Sequence, residues 1–197
     1  MKRFPLAALA LLGAVTLPVS DLAAQRRVVP FFGGGIAIGN GDLSDDTDTG
    51  WVGFVGLDVP LSLTPGLSVG VTASYAHIPY KGSFDEATNI PGLFGEVGYV
   101  IAERSAFPVK PFLRGGVGVE VHKYDPGSTT FREQSETGMS FGGGGGLQIL
   151  VGSTAVFAGA QYVTNGDAGY LALHGGLAFP GKVHSGSRAL RSIFSGR

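Results

Sequence analysis

Cysteine is missing from this chain of 197 residues. Disulfide bridges, cysteine-ligated metals and thiol nucleophiles are therefore excluded. Charge is also scarce, because Asp, Glu, Lys and Arg make up only 15% of the residues and leave a formal net charge of −1. A chain this close to neutral lacks the basic excess with which nucleic-acid-binding proteins neutralise phosphates. We therefore expect no nucleic-acid partner.

The chain also lacks an apolar run of the about 20 residues that a transmembrane helix needs. A shorter apolar stretch, residues 6–17, follows a positive start at Lys2 and Arg3 and precedes the small residues Ala23 and Ala24. A positive start, a short apolar stretch and a small-residue cleavage site are together typical of an export signal. We expect residues 1–24 to be a cleaved signal peptide.

Glycine, in contrast, is abundant, with 34 residues. Most of these glycines lie inside runs of about ten residues in which apolar side chains alternate with small or polar ones. The clearest run places Leu67, Val69 and Val71 in alternation with Ser68 and Gly70. A period of two predicts β-strands with one apolar face.

Eight such runs follow the signal, and the connections between them alternate in length. The runs are residues 28–39, 50–60, 67–78, 92–102, 109–122, 137–151, 154–163 and 169–179. Three long loops, at 40–49, 79–90 and 123–136, fall on the same side of the predicted sheet. An even strand number with long loops on one side is typical of bacterial outer-membrane barrels, whereas a soluble barrel has no reason to sort its loops. The sequence predicts an all-β fold, an eight-stranded antiparallel up-and-down transmembrane β-barrel, over residues 25–179.

A barrel of eight strands has an interior only wide enough for side chains, which explains small residues on the inward positions. Aromatic residues near the run ends are predicted to form the girdles at the two membrane interfaces. They are Phe31, Phe32, Trp51, Tyr75, Tyr80, Phe107, Phe112, Tyr124, Tyr162, Tyr170 and Phe179.

Several polar side chains fall on the inward face and are predicted to form a structural network in the barrel interior. They are Asp58, Glu96, Arg114, Glu120, His122 and Gln148, with Gln161 and His174 as further candidates. Folding the fourth and fifth runs about the turn at 103–108 sets Glu96 roughly opposite Arg114, which predicts an ion pair joined by Glu120 or Asp58. The functional alternative is a proton or ion path through the lumen.

No motif indicates catalytic, cofactor-binding or metal-binding residues. The glycine runs at 114–118 and 142–146 are not followed by the helix that a phosphate-binding loop needs. The acidic loop at 42–48 lacks the distal Glu and central Gly of a calcium loop. Ser74 and His77 are three residues apart in one strand and so point to opposite faces. His77 near the outer rim remains the only candidate for a catalytic group.

The export signal, the eight alternating runs and Phe179 at the end of the last run resemble the OmpA/OmpX-like, porin-like family of small outer-membrane β-barrels. This resemblance implies insertion by the barrel assembly machinery and a role in envelope integrity, adhesion or surface recognition. One departure is that residues 180–197 continue past Phe179 with four basic and no acidic residues. They are interpreted as a basic flexible tail, with a last strand at 189–194 as the alternative.

The sequence therefore favours a non-catalytic, monomeric protein of the outer membrane of a Gram-negative-type bacterium. Its partners are expected to be outer-membrane lipid and a surface ligand at the three long loops, and no cofactor is expected. The alternatives are a lipid-A-modifying outer-membrane enzyme, a narrow channel and a soluble periplasmic ligand-binding barrel.

Overall fold

In a computed structural model, the alternating runs form eight antiparallel strands. The structure describes residues 28–41, 43, 45–62, 64–82, 86–125, 134–166 and 168–180. The strands are β1 (Val29–Gly41), β2 (Gly50–Pro60), β3 (Leu67–Pro79), β4 (Ala87–Val100), β5 (Val109–Asp125), β6 (Gln134–Val151), β7 (Thr154–Thr164) and β8 (Ala168–Ala178). The predicted signal at 1–24 and residues 181–197 of the predicted tail, with the alternative strand at 189–194, lie outside the described residues.

Each strand pairs with its neighbours in the chain, and β8 pairs with β1, so the sheet closes into a barrel. The closing ladder runs from the pair Phe31 and Ala178 to the pair Gly41 and Ala168. One further hydrogen bond, from the backbone nitrogen of Phe179 to the carbonyl of Pro30 (2.9 Å), continues this seam past the end of β8. The predicted fold class is confirmed.

Within the part of the chain that the structure describes, no helix is long and apolar enough to cross a bilayer.

The apolar faces of the strands point away from the barrel axis. Val55, Leu93, Leu113 and Phe141 are each more than half exposed, and Leu93 reaches 62%. Exposed apolar side chains of this size on every strand form a belt around the barrel, far larger than the apolar patches that monomers keep in water. Such a belt needs an apolar surrounding, which is the geometry of a lipid-facing wall.

The largest differences from the predicted strand boundaries lie in β4 and in the β5–β6 hairpin, at the end of the barrel that carries the long loops, called the outer end here. β4 begins at Ala87, five residues before the predicted start, because Thr88 and Asn89 pair with β3. The ladder to β5 has a gap at Ile90 and Pro91 and resumes with the pair of Gly92 and Glu120. Proline has no amide hydrogen to donate, so it interrupts the pairing without ending the strand.

The β5–β6 hairpin is also longer than predicted. Pairs of Lys123 with Ser135 and of Tyr124 with Gln134 extend both strands beyond the predicted run ends. The long loop predicted at 123–136 is therefore shortened to the connection between Asp125 and Gln134. The residues of this extension are polar and do not alternate clearly, so apolar periodicity does not predict them as strand.

The outer half of the lumen holds the apolar core. Ala37, Ala76, Ile78 and Ile90 are fully buried there, and Leu43 from the first long loop packs on the same cluster. The opposite end, called the short-turn end, has the turns at 61–66, 101–108 and 152–153. Among the described residues, the lumen is thus packed with side chains on the side of the long loops.

We predict that Gly144→Ala destabilises the barrel. A Cβ at Gly144 would collide with the backbone carbonyl oxygen of Ala160 on β7, whereas a Cβ at the neighbouring Gly143 would meet nothing within 4 Å. Overpacking of this kind costs about 1–3 kcal/mol. Urea unfolding in lipid vesicles should show a lower midpoint for Gly144→Ala and an unchanged midpoint for the matched control Gly143→Ala. Equal midpoints for the two variants would contradict this account of the β6–β7 contact.

Candidate functional site

The inward polar residues of three strands meet in the middle of the lumen because of the strand register. Asp58 on β2 pairs with Gly70 on β3, and Gly70 pairs with Glu96 on β4. Arg114 on β5 pairs with Gly98, two residues along β4 from Glu96 and on the same face. A Cβ at Gly70 would collide with the Asp58 carboxylate, so glycine at this position lets Asp58 reach across β3.

Arg114 lies between two carboxylates. Its Nη1 donates to Glu96 Oε2 at 3.0 Å, and its Nη2 donates to Asp58 Oδ2. The guanidinium carbon also lies 4.3 Å from the centre of the Phe31 ring, close enough for a cation–π contact. The three charged groups carry a net charge of −1 and join strands β2, β4 and β5.

Neutral groups complete the hydrogen bonding of Glu96, whose side chain is only 3% exposed. The Thr72 hydroxyl donates to Oε2, and the Gln161 amide nitrogen donates to Oε1 at 3.3 Å. A buried carboxylate is tolerated only when it is paired and hydrogen-bonded, and Glu96 meets both conditions. Gln161 was a further candidate in the sequence, whereas Thr72 was missed, although its inward position in β3 follows from the alternation.

Glu120 and His122 form a second, separate cluster nearer the outer end. The Tyr170 hydroxyl donates to Glu120 Oε1 at 3.1 Å, and His122 Nε2 lies 3.7 Å from Glu120 Oε2. Asn165 Nδ2 lies 3.2 Å from the same histidine nitrogen. The sequence left open whether Asp58 or Glu120 joins Glu96 and Arg114; in the structure the ion pairs of Arg114 are with Asp58 and Glu96.

Three aromatic residues assigned to the membrane girdles face the lumen instead. Tyr170 and Phe31 are 2% and 4% exposed, and Phe112 lines the interior cavity. Proximity to a strand end does not show whether an aromatic side chain points inward or outward. Its direction follows from the residue's place in the alternation along the strand. Trp51 and Tyr75, in contrast, are exposed on the outside, where their rings lie 5.5 Å apart.

The lumen is not filled by side chains, contrary to our expectation from the strand number. A cavity of about 560 Å³ extends from the short-turn end past Arg114 to the apolar core, where Val52, Val163 and Tyr170 line it. Gln148 and His174 line it, together with the residues around Arg114. The reason lies in the inward glycines, such as Gly98 and Gly144 on the cavity wall, which contribute no side-chain volume.

The proposed catalytic candidate lies apart from the interior groups. His77 shares the outward face with Tyr75, and its Nδ1 is 2.8 Å from Asn89 Oδ1, while Ser74 lines the inner cavity. The hydroxyl of Tyr75 donates to the same Asn89 oxygen at 2.8 Å. Among the described residues no group of three or more acidic, histidine or cysteine side chains is placed to hold a metal ion.

Comparisons with known proteins identify the fold. No family model and no curated protein matches the sequence. Neisserial surface protein A (NspA) is similar in structure, with 14% identity and a TM-score of 0.63 over 78% of this chain and 97% of that chain. Ail, the attachment invasion locus protein of Yersinia pestis, in complex with the heparin analogue sucrose octasulfate, has 15% identity and a TM-score of 0.56 over 79% of this chain and 98% of that chain. The chain therefore has the fold of the small outer-membrane β-barrels that its sequence resembles.

The outer membrane enzyme PagL also matches, with 16% identity over 76% of this chain and 99% of that chain. The TM-score of this match is 0.47.

We predict that Arg114→Met destabilises the barrel strongly. The substitution leaves Asp58 and Glu96 without their cation, and an uncompensated buried charge typically costs about 3–5 kcal/mol. The triple variant Asp58→Asn, Glu96→Gln, Arg114→Met removes all three charges and should recover part of the lost stability. Urea-unfolding midpoints in lipid vesicles measure both effects, with Lys110→Met at the short-turn end as the control. A triple variant less stable than Arg114→Met alone would contradict the assignment of the loss to uncompensated charge.

Proposed function

We propose that this protein is a non-catalytic outer-membrane barrel whose role is structural or surface interaction through its outer loops. The observation that carries the proposal is the packed core at the outer end of the lumen, where, among the described residues, Leu43 packs on the buried cluster that contains Ile78 and Ile90. A lumen that is packed at its outer end favours binding of a partner at the outer loops over passage of solutes through the barrel. Export through a signal at residues 1–24, cleaved after Ala24, is part of the same proposal.

The first two long loops are joined to each other, which supports a role in binding a partner at the surface. The backbone nitrogen of Asp48 donates to the carbonyl of Pro79, and that of Lys81 donates to the carbonyl of Asp46, both at 2.8 Å. Between these bonds Thr47 and Tyr80 form an isolated antiparallel bridge. Loops that are joined by backbone hydrogen bonds are already ordered before a partner binds. Binding to them therefore costs less conformational entropy of the chain.

The charge of the long loops indicates the chemistry of a partner. The segments predicted as loops, residues 40–49, 79–90 and 123–136, comprise the loops and the adjoining strand ends and contain nine acidic residues and three basic ones, a formal charge of −6. Complementary charge steers encounter and suppresses partners of the same sign. Ail, in contrast, forms a complex with sucrose octasulfate, a sulfated and negatively charged ligand. The acidic loops of this chain favour a partner of the opposite sign, such as a basic polypeptide.

We predict that the protein in a planar lipid bilayer gives no discrete conductance steps. The buried core around Ile78 and Ile90 should block ions even though the cavity below it contains charged groups. Single-channel recording at symmetric salt measures this directly. Discrete steps whose size changes in Arg114→Ala would overturn the proposal and establish the channel alternative.

We also predict that the protein in lipid nanodiscs binds an oligolysine peptide more tightly than sucrose octasulfate, with an affinity that falls as salt rises. Replacing Asp45, Asp46 and Asp48 by asparagine should weaken oligolysine binding, while Glu103→Gln at the short-turn end serves as the control. Binding titrations against nanodiscs without protein measure the difference. Tighter binding of sucrose octasulfate would contradict the charge argument.

A further inference from the structure

We propose that the interior cavity binds one single-chain anionic amphiphile, such as a long-chain fatty acid, which enters from the short-turn end. The cavity volume of about 560 Å³ falls in the range of about 300–1,000 Å³ typical of small-molecule sites. This inference is independent of the outer loops and goes beyond the surface role proposed above.

The position of the cavity defines its entrance. Its walls include Pro60 and Gly66 near the β2–β3 turn, Glu103 and Arg104 in the β4–β5 turn, and Pro180 after β8. At its other end the cavity reaches the apolar core, because Val52, Val163 and Tyr170 line it, whereas the fully buried Ile78 and Ile90 do not. A ligand would therefore enter between the short turns and stop at the apolar core.

The interior wall of the cavity is suited to an apolar chain. Phe54 and Phe157 lie 6.2 Å apart, and Phe157 makes an edge contact with Phe112 at the same distance. Val29 and Ala178 line the wall as well. A narrow eight-stranded lumen with walls of this kind admits one chain rather than the two or more chains of a diacyl or larger lipid.

The charges divide the cavity into two regions. Deep in the lumen, the cluster of Arg114 with Asp58 and Glu96 is already paired and carries a net charge of −1. At the entrance, the side-chain nitrogen of Lys110 donates to the backbone carbonyl of Glu103, a neutral group, and Arg104 lies on the same wall. With the carboxylate of Glu103 counted, the described residues at the entrance have a net charge of +1. An anionic head group is thus favoured at the entrance and disfavoured inside, which sets the orientation of the ligand.

The absence of cysteine makes the entrance directly testable with single-cysteine variants in lipid nanodiscs. Ser68→Cys places a thiol on the cavity wall, and Ser105→Cys places one on the exposed β4–β5 turn at the same end. A charged, water-soluble maleimide should label both, and palmitate should slow labelling of Ser68→Cys in a saturable manner without affecting Ser105→Cys. Failure of the maleimide to reach Ser68→Cys, or equal labelling with and without palmitate, would overturn the proposal.

The orientation of the head group is tested by charge reversal in the Ser68→Cys background. Lys110→Glu with Arg104→Glu should raise the palmitate concentration needed for half-protection by about tenfold, as expected for the loss of favourable charges at a binding site. Lys123→Glu at the outer end is the matched control and should leave it unchanged. Protection by dodecyltrimethylammonium at lower concentration than by palmitate would overturn the assignment of an anionic ligand.

Discussion

A β-sheet in a bilayer cannot leave backbone donors and acceptors unpaired at an edge, and the rest of this structure depends on that constraint. The eight strands meet it by closing β8 onto β1, with the register continued by the hydrogen bond from Phe179 to Pro30. Once the sheet is closed, alternation along each strand assigns every residue to the lipid or to the lumen. The apolar belt around Leu93 and Leu113 and the polar interior around Arg114 are two consequences of one closure.

The two ends of the lumen differ in packing and charge, and this difference bears on which functions are possible. The outer half contains the packed apolar core and the pair of Glu120 and His122. The cavity extends from the short turns past the cluster around Arg114 to that core. The inward glycines leave the space of the cavity, whereas the outer end around Ile78 and Ile90 is packed. A through-pore would need the two halves to be continuous. The two proposals assign surface interaction to the outer end and ligand entry to the other.

The fold could be predicted from the sequence because its main determinant, period-two alternation, is local. Alternation identified all eight strands, and the outward assignments of Leu93 and Leu113 agree with their exposure. The extension of β4 back to Ala87 was missed because Pro91 resembles a strand boundary when the pairing of its neighbours is unknown. Phe31 and Tyr170 were assigned to the girdles because strand-end position was used in place of their alternation.

The interior site could be predicted only in part. Inward positions follow from alternation. Folding β4 and β5 about the one turn between them therefore places Glu96 near Arg114. The partner on β2 depends on the register across β3 and on the glycine at Gly70, which are long-range properties. The separate cluster of Glu120, His122 and Tyr170 depends on contacts between β5 and β8 across the lumen, which the order of the strands alone does not reveal.

The central claim is that this chain forms a closed barrel in the outer membrane. Its most direct test compares the gel mobility of the outer-membrane fraction, unboiled and boiled, in mild detergent. A closed barrel resists denaturation and stays compact, so the account predicts that the unboiled protein migrates faster than the boiled protein. Identical mobility, with the protein in the soluble periplasmic fraction, would contradict it.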